Sequence, residues 1–171
     1  MRMEIIDNFL SQPLYDSFQQ MFAKEIFPWY WNHEKTYEDY YPPKVNVIPF
    51  CTELENHQFI HAFYLNNERT SNWNIDPLLQ HLNPTTVLRA KANLNVHTDE
   101  IVRYGFHIDT QHESKTAIYY LNTNNGCTLF EDGTRVDSIG NRLLIFDSKM
   151  LHCGTTCTDQ KRRIVININY F

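Results

Sequence analysis

The sequence predicts a mainly β protein with flanking helices, and a jelly-roll is the best fit among the antiparallel sandwiches and barrels. Three observations carry this expectation. Residues 87–171 fall into short runs that alternate apolar and polar side chains with period two, the pattern of half-buried strands. Turn signals separate several of these runs: Asn124-Asn125-Gly126, Asp132-Gly133 and Gly140-Asn141. Residues 1–86 mix helical and irregular signals, with no repeat or low-complexity linker that would divide the chain. The domain expected is therefore one, 1–171, with 1–86 as a helical and irregular flank and 87–171 supplying most of the roll.

In chain order, 3–8 suits a short strand. Ser11 then offers a helix N-cap and Pro13 a first helical turn, and Leu14, Phe18, Met21 and Phe22 fall on one helical face. An aromatic patch follows, FPWYW at 27–31 and YEDYYPP at 37–43, where Pro42 and Pro43 favour extended chain. Trp29, Tyr30, Trp31, Tyr40 and Tyr41 there are read as core beneath the roll, with a lid over a ligand as the alternative. A second helix is expected over 76–82, with Leu78, Leu79 and Leu82 on one face and Pro84 ending it. The strand candidates are then VLRAKANLNV, RYGFHID, TAIYYLN, CTLFED, TRVDS, NRLLIFD and RIVININYF.

Composition narrows the function. With 42% apolar and 20% charged residues, the chain has enough apolar side chains for a packed core. Its formal net charge of −5 gives no electrostatic footprint for nucleic acid, which is disfavoured as a partner. No apolar run approaches the roughly 18–20 residues of a membrane span, and the N-terminal stretch has no signal-peptide pattern. A soluble, cytoplasmic protein is the expectation. The four cysteines form no C-x-x-C pair, and Cys153 and Cys157 beside His152 lack the further partners a structural zinc needs.

Of eight histidines, six (His33, His57, His61, His81, His97 and His112) sit in polar or irregular surroundings that favour surface or local hydrogen bonding. His107-Ile108-Asp109 differs because it closes a strand-like run, so His107 and Asp109 project to one face. His152 follows the run NRLLIFD, and the interval from 107 to 152 holds three or four short strands, enough for the sheet to return beside its start. Two histidines and a carboxylate with an open face form the triad of non-haem iron sites. Arg163 opens the last strand, sharing a face with Val165, Asn167 and Asn169, while Ile164, Ile166, Ile168 and Tyr170 take the other. A guanidinium on that polar face can grip a carboxylate in bidentate fashion. Arg162 falls on the isoleucine face. Arg89, Lys91, Asn93 and Asn95 also share a face; either Asn93 and Asn95 contact a cosubstrate, or the whole row meets solvent.

These residues resemble the signature of the Fe(II)/2-oxoglutarate-dependent oxygenases, whose core is a double-stranded β-helix. The prolyl-4-hydroxylase-like branch is the nearest in pattern. EIIDNFLS at 4–11, Tyr104 three before His107, TAIYYLN at 116–122, FEDG at 130–133, GNRLLIFDSKMLH at 140–152 and the closing RIVININYF carry the likeness. It covers most of 87–171 and the first half only loosely. The paired glycine and preceding tryptophan common in the family are represented here by Asn124-Asn125-Gly126 alone.

The resemblance implies Fe(II) held by His107, Asp109 and His152, with Arg163 facing the distal carboxylate of 2-oxoglutarate and Tyr120 assisting. By period two Thr116 shares the Tyr120 face, so Thr116 and, from the polar row above, Asn95 are expected as further cosubstrate contacts, with Tyr104 as a substrate contact. It also implies dioxygen as oxidant and ascorbate as a stimulant. The expected reaction hydroxylates a C–H bond, in a prolyl residue of a peptide or protein, releasing succinate and CO2. Rival readings are a nucleobase demethylase or small-molecule hydroxylase of the same family and, in another class, a non-catalytic metal-binding jelly-roll that acts as a sensor or interaction module. The sequence carries no signal of oligomeric state.

Overall fold

The computed structural model describes residues 3–33, 35 and 48–171. Strand β1 (Glu4–Ile6) leads into helix α1 (Gln12–Ala23), followed by β2 (Tyr30–Asn32), β3 (Gln58–Leu65), β4 (Glu68–Arg69) and helix α2 (Asp76–Leu82). The remaining strands are β5 (Val87–Val96), β6 (Lys115–Tyr120), β7 (Cys127–Phe130), β8 (Arg135–Asp137), β9 (Arg142–Asp147), β10 (His152–Gly154) and β11 (Arg162–Tyr170). The described residues build two antiparallel sheets. The larger runs β1-β9-β6-β11-β5-β3-β2, with β4 on β3; the smaller runs β10-β7-β8. This is the expected jelly-roll. No helix of the described residues is long and apolar enough to cross a membrane.

The period-two pattern decides which face of the large sheet meets which layer. Ile164, Ile166 and Ile168 of β11, Ala90 and Ala92 of β5, and Tyr119 of β6 point outward beneath the helices, where Phe18 and Phe22 of α1 and Leu78 and Leu79 of α2 cover them. The opposite face turns into the roll: Ile118 and Tyr120 of β6, Leu144 and Phe146 of β9 and Val165 of β11 pack against Phe130 and Val136 of the small sheet. One strand thus serves two cores, as alternation requires.

Several details differ from expectation. The run RYGFHID, expected as a strand, makes only isolated bridges at Arg103 and His107. Ser11 stands at the N-cap of α1 but its hydroxyl makes no capping bond, so Pro13 in the first turn, with φ already near the helical value, is what favours the helix start. The start is held instead by Asn141 at the Gly140-Asn141 turn, whose φ of 63° is left-handed. Its amide accepts from the Leu10 N–H at 2.9 Å, donates to the Leu10 carbonyl at 2.8 Å and accepts from the Tyr119 hydroxyl at 3.0 Å. The region 1–86 also contributes more sheet than its texture suggested, because β3 pairs along β5 from Phe59↔Leu94 to Tyr64↔Ala90. Of the aromatic patch, Trp29 packs on the core with Phe22 and Phe27, whereas Tyr30 and Trp31 are exposed, Trp31 stacking on His57. Tyr40 and Tyr41 lie outside the described residues.

Candidate metal and carboxylate site

The small sheet brings the two expected metal histidines together. β10 begins at His152, and its backbone exchanges a pair of 3.0 Å hydrogen bonds with His107, so the two residues are direct cross-strand partners. Their rings lie 4.7 Å apart. The His107 Nδ1 bonds the Gly105 carbonyl at 3.1 Å and the His152 Nδ1 bonds the Met150 carbonyl at 3.0 Å. A carbonyl only accepts, so each Nδ1 carries the proton and each Nε2 lone pair is left for a metal. Asp109 completes the group: one donor atom from each of the three lies within 4.8 Å of the others. Burial, with His152 beside it, pushes His107 down to about 4, which keeps a neutral ligand at neutral pH.

Asp109 is nearly inaccessible, and both its oxygens are bonded. Arg89 donates to Oδ1 at 2.9 Å, Thr116 to Oδ2 at 2.8 Å, and the Asn167 amide reaches both at 3.2 and 3.3 Å. Burial alone would raise its pKa; the two imidazoles, Arg89 and Thr116 outweigh it and hold the carboxylate below its usual range. Thr116 is itself fixed, accepting from the Ser148 hydroxyl at 3.0 Å and from the Asn169 amide at 2.9 Å. Thr116 therefore orients the carboxylate instead of sitting at the Arg163 end.

Arg163 lies further along the same cavity, buried, on the face that period two assigned to it. Its Nε donates to the Ser138 hydroxyl at 2.8 Å and its Nη2 reaches Thr128 at 3.4 Å, and Thr128 also accepts from the Tyr120 phenol at 2.8 Å. Burial pushes Tyr120 up to about 12, so it remains a neutral donor. Arg162 is exposed, as its position on the other face requires.

Glycines leave room around this end. A Cβ at Gly126 would sit 2.5 Å from the Thr156 carbonyl and 2.8 Å from Arg163 Cδ. A Cβ at Gly154 would fill a point 3.4 Å from Arg163 Nη1 and 3.8 Å from the Lys35 ammonium. Two cations thus face one gap that a side chain would close.

Lys35 was not among the residues that the sequence singled out, because it falls in a stretch without periodicity. Its ammonium donates to Asn95 at 2.9 Å and lies 3.4 Å from the centre of the Tyr104 ring. Burial, with Arg163 nearby, pulls its pKa well down. Asn95 therefore both lines the site and holds the Lys35 ammonium in it. Tyr104 is buried beneath the same lysine, alongside Cys51 and Val102.

One cavity of about 240 Å3 joins these parts, lined by both histidines and Asp109 at one end and Arg163, Lys35, Asn95 and Thr128 at the other. Its β5 wall is the row Arg89, Lys91, Asn93 and Asn95, which faces this cavity; Gln58 of β3 adds to it. The alternation was visible in the sequence, but polarity alone does not distinguish a wet cavity from bulk solvent.

No protein-family model and no curated protein sequence matches the chain. Solved structures do. A prolyl hydroxylase from Trichoplax adhaerens, in complex with a hypoxia inducible factor peptide fragment, aligns with a TM-score of 0.62 and 17% identity over 99% of this chain and 83% of its own. A prolyl-4-hydroxylase from Pseudomonas putida gives 0.58 and 13% over 98% and 91%. The epimerase SnoN of nogalamycin biosynthesis, in complex with Fe3+ and α-ketoglutarate, gives 0.60 and 10% over 99% and 78%. The fold is that of the 2-oxoglutarate- and Fe(II)-dependent oxygenases.

Within this oxygenase fold the donor set fits a divalent iron: two neutral imidazoles and one carboxylate, each oriented by a second bond and opening on a cavity. Cys153 and Cys157 take no part. Both are buried free thiols, and burial pushes Cys153 up to about 12. Of the remaining histidines, His57, His81 and His97 bond nearby carbonyls, and His61 bonds the Pro28 carbonyl and the Ser71 hydroxyl.

Proposed function

We propose that the protein is an Fe(II)- and 2-oxoglutarate-dependent oxygenase that hydroxylates a C–H bond and releases succinate and CO2. One observation carries the reading: a His-Asp-His triad and a buried arginine line the same cavity. His107, Asp109 and His152 would hold the iron, which supplies the activation of dioxygen when bound. Arg163, with Lys35 across the Gly154 gap, takes the distal carboxylate of 2-oxoglutarate and sets the cosubstrate's direction in the cavity. Ser138 and Thr128, the latter itself bonded by the Tyr120 phenol, hold the guanidinium in place. Arg89, Thr116 and Asn167 keep the Asp109 carboxylate ionised and turned toward the histidines. The buried walls limit water around the reacting carbon.

For the substrate, a prolyl residue in a peptide or protein is the reading that the sequence likeness favours, and two of the matched structures are prolyl hydroxylases. A small-molecule hydroxylase is the second reading, favoured by the cavity's polar lining and by a volume below the range usual for drug-sized ligands. A cytoplasmic setting suits the buried free thiols of Cys127, Cys153 and Cys157. The test is conversion of 2-oxoglutarate to succinate with Fe(II) and ascorbate, with proline peptides, free amino acids and methylated oligonucleotides as separate additions. Added oxygen is located by mass spectrometry. A protein that binds the metal but converts no 2-oxoglutarate would be the non-catalytic metal-binding module instead.

A further inference from the structure

The cavity is more cationic than the proposed cofactors require. Lys35, Arg89, Lys91 and Arg163 line it against the single carboxylate of Asp109. A divalent metal and a dianionic cosubstrate cancel each other, so binding both leaves that excess in place. Arg89 is committed to Asp109, and Arg163 and Lys35 face the Gly154 gap. Lys91 is different. Among the described residues its ammonium has neither a hydrogen-bond partner nor an ion pair, although it lines the cavity half-buried in a chain of net charge −5.

Its neighbours are unsatisfied in a complementary way. Asn167 lies directly opposite Lys91 in the β5–β11 register, and Asn93 follows two residues along β5 on the same face. The side-chain oxygens of Asn93 and Asn167 are both buried and accept no hydrogen bond. Asn167 also donates to Asp109, which puts this group beside the proposed metal rather than at the Arg163 end. An unpaired ammonium on a cavity wall calls for an anion, and lone buried amide oxygens call for donors.

We propose that Lys91, with the amide oxygens of Asn93 and Asn167, is the substrate site, and that its ligand is a free α-amino acid: carboxylate on Lys91, ammonium on the two amides. The inference rests on the oxygenase reading for its chemistry. The C–H bond of the amino acid becomes C–OH with one atom of dioxygen; the other atom ends in succinate as 2-oxoglutarate loses CO2. Free proline would satisfy this site and the sequence likeness together.

The experiment compares wild type, Lys91→Met and Lys91→Arg, each with 2-oxoglutarate. The twenty proteinogenic amino acids are titrated by calorimetry beside their carboxamides and N-acetyl derivatives, with an end-blocked prolyl peptide as control. At least one free amino acid should bind to the wild type, its carboxamide roughly 30-fold or more weakly, the loss expected for one buried charged contact. Lys91→Met should erase that preference while leaving 2-oxoglutarate affinity unchanged, and Lys91→Arg should restore part of it.

The proposal is overturned if no free amino acid binds, if carboxamides or the blocked peptide bind as well, or if Lys91→Met weakens 2-oxoglutarate as much as Arg163→Met does. Carboxylate-dependent binding without any 2-oxoglutarate conversion would uphold the site and remove the oxygenase reading alone.

Discussion

Arg163 and Asp109 lie in one cavity but are held by different neighbours, so their replacement should separate two affinities. Arg163→Met removes a charge-assisted contact from a buried carboxylate, a loss of about 2–5 kcal/mol. Calorimetry should show 2-oxoglutarate binding weakened roughly 30- to 4,000-fold, with metal affinity retained. Asp109→Ala should do the reverse, abolishing tight metal binding because two neutral imidazoles remain for a dication. Equal losses in both variants would mean that the two ends of the cavity are not distinct. Lys91 gives a pH-dependent prediction. Burial, helped by Arg89, brings its pKa down to about 8, below the unfolded value of about 10.4. Below pH 8 the folded ligand-free protein bears the full cost of the buried charge; as pH rises toward 10 the folded state sheds that proton first and the cost shrinks. Lys91→Met should therefore be more stable than wild type by about 1–3 kcal/mol at pH 7, and thermal melts should show the gap closing toward pH 10. A gap that is absent or independent of pH would show that Lys91 is solvated.

At the scale of elements, legibility followed burial on two faces. β6 and β11 carry different side chains into different cores, so Tyr119 against Tyr120 and Ile164 against Arg163 could be sorted by counting residues. The cavity-facing row of β5 was visible as a row but not as a wall, since what distinguishes it is the far side of the roll. β3 escaped because QFIHAFYL carries apolar side chains on both faces, and Lys35 because it follows no period at all. The helical layer was readable from Phe18 and Phe22, and it should bear the cost that its burial implies: Phe22→Ala, with Phe27, Trp29 and Phe63 around it, should lose about 3–5 kcal/mol in denaturant unfolding. Trp31, also in the aromatic patch, is exposed, and Trp31→Ser should stay within about 0.5 kcal/mol of wild type. A large loss at Trp31 would mean that the exposed ring is covered in solution.

For the whole molecule, a ligand that binds only the folded state adds to stability by mass action. A divalent metal at 100 times its dissociation constant should contribute about 2.7 kcal/mol, and a chelator should remove it. Differential scanning calorimetry checks this, and an unchanged melting temperature on loading would deny a preformed site. The backbone pairing of His107 with His152 gives the effect a definite address. An ion held by both rings cross-links the chain across four strands, β6 to β9, which belong to both sheets. Opening the roll at that point would require releasing the ion. The amide protons of His107 and His152, each bonded to the other's carbonyl, would then become a clock for occupancy: in deuterium oxide their exchange should slow about 100-fold at that loading, while amides of the exposed β4 hairpin keep their rate.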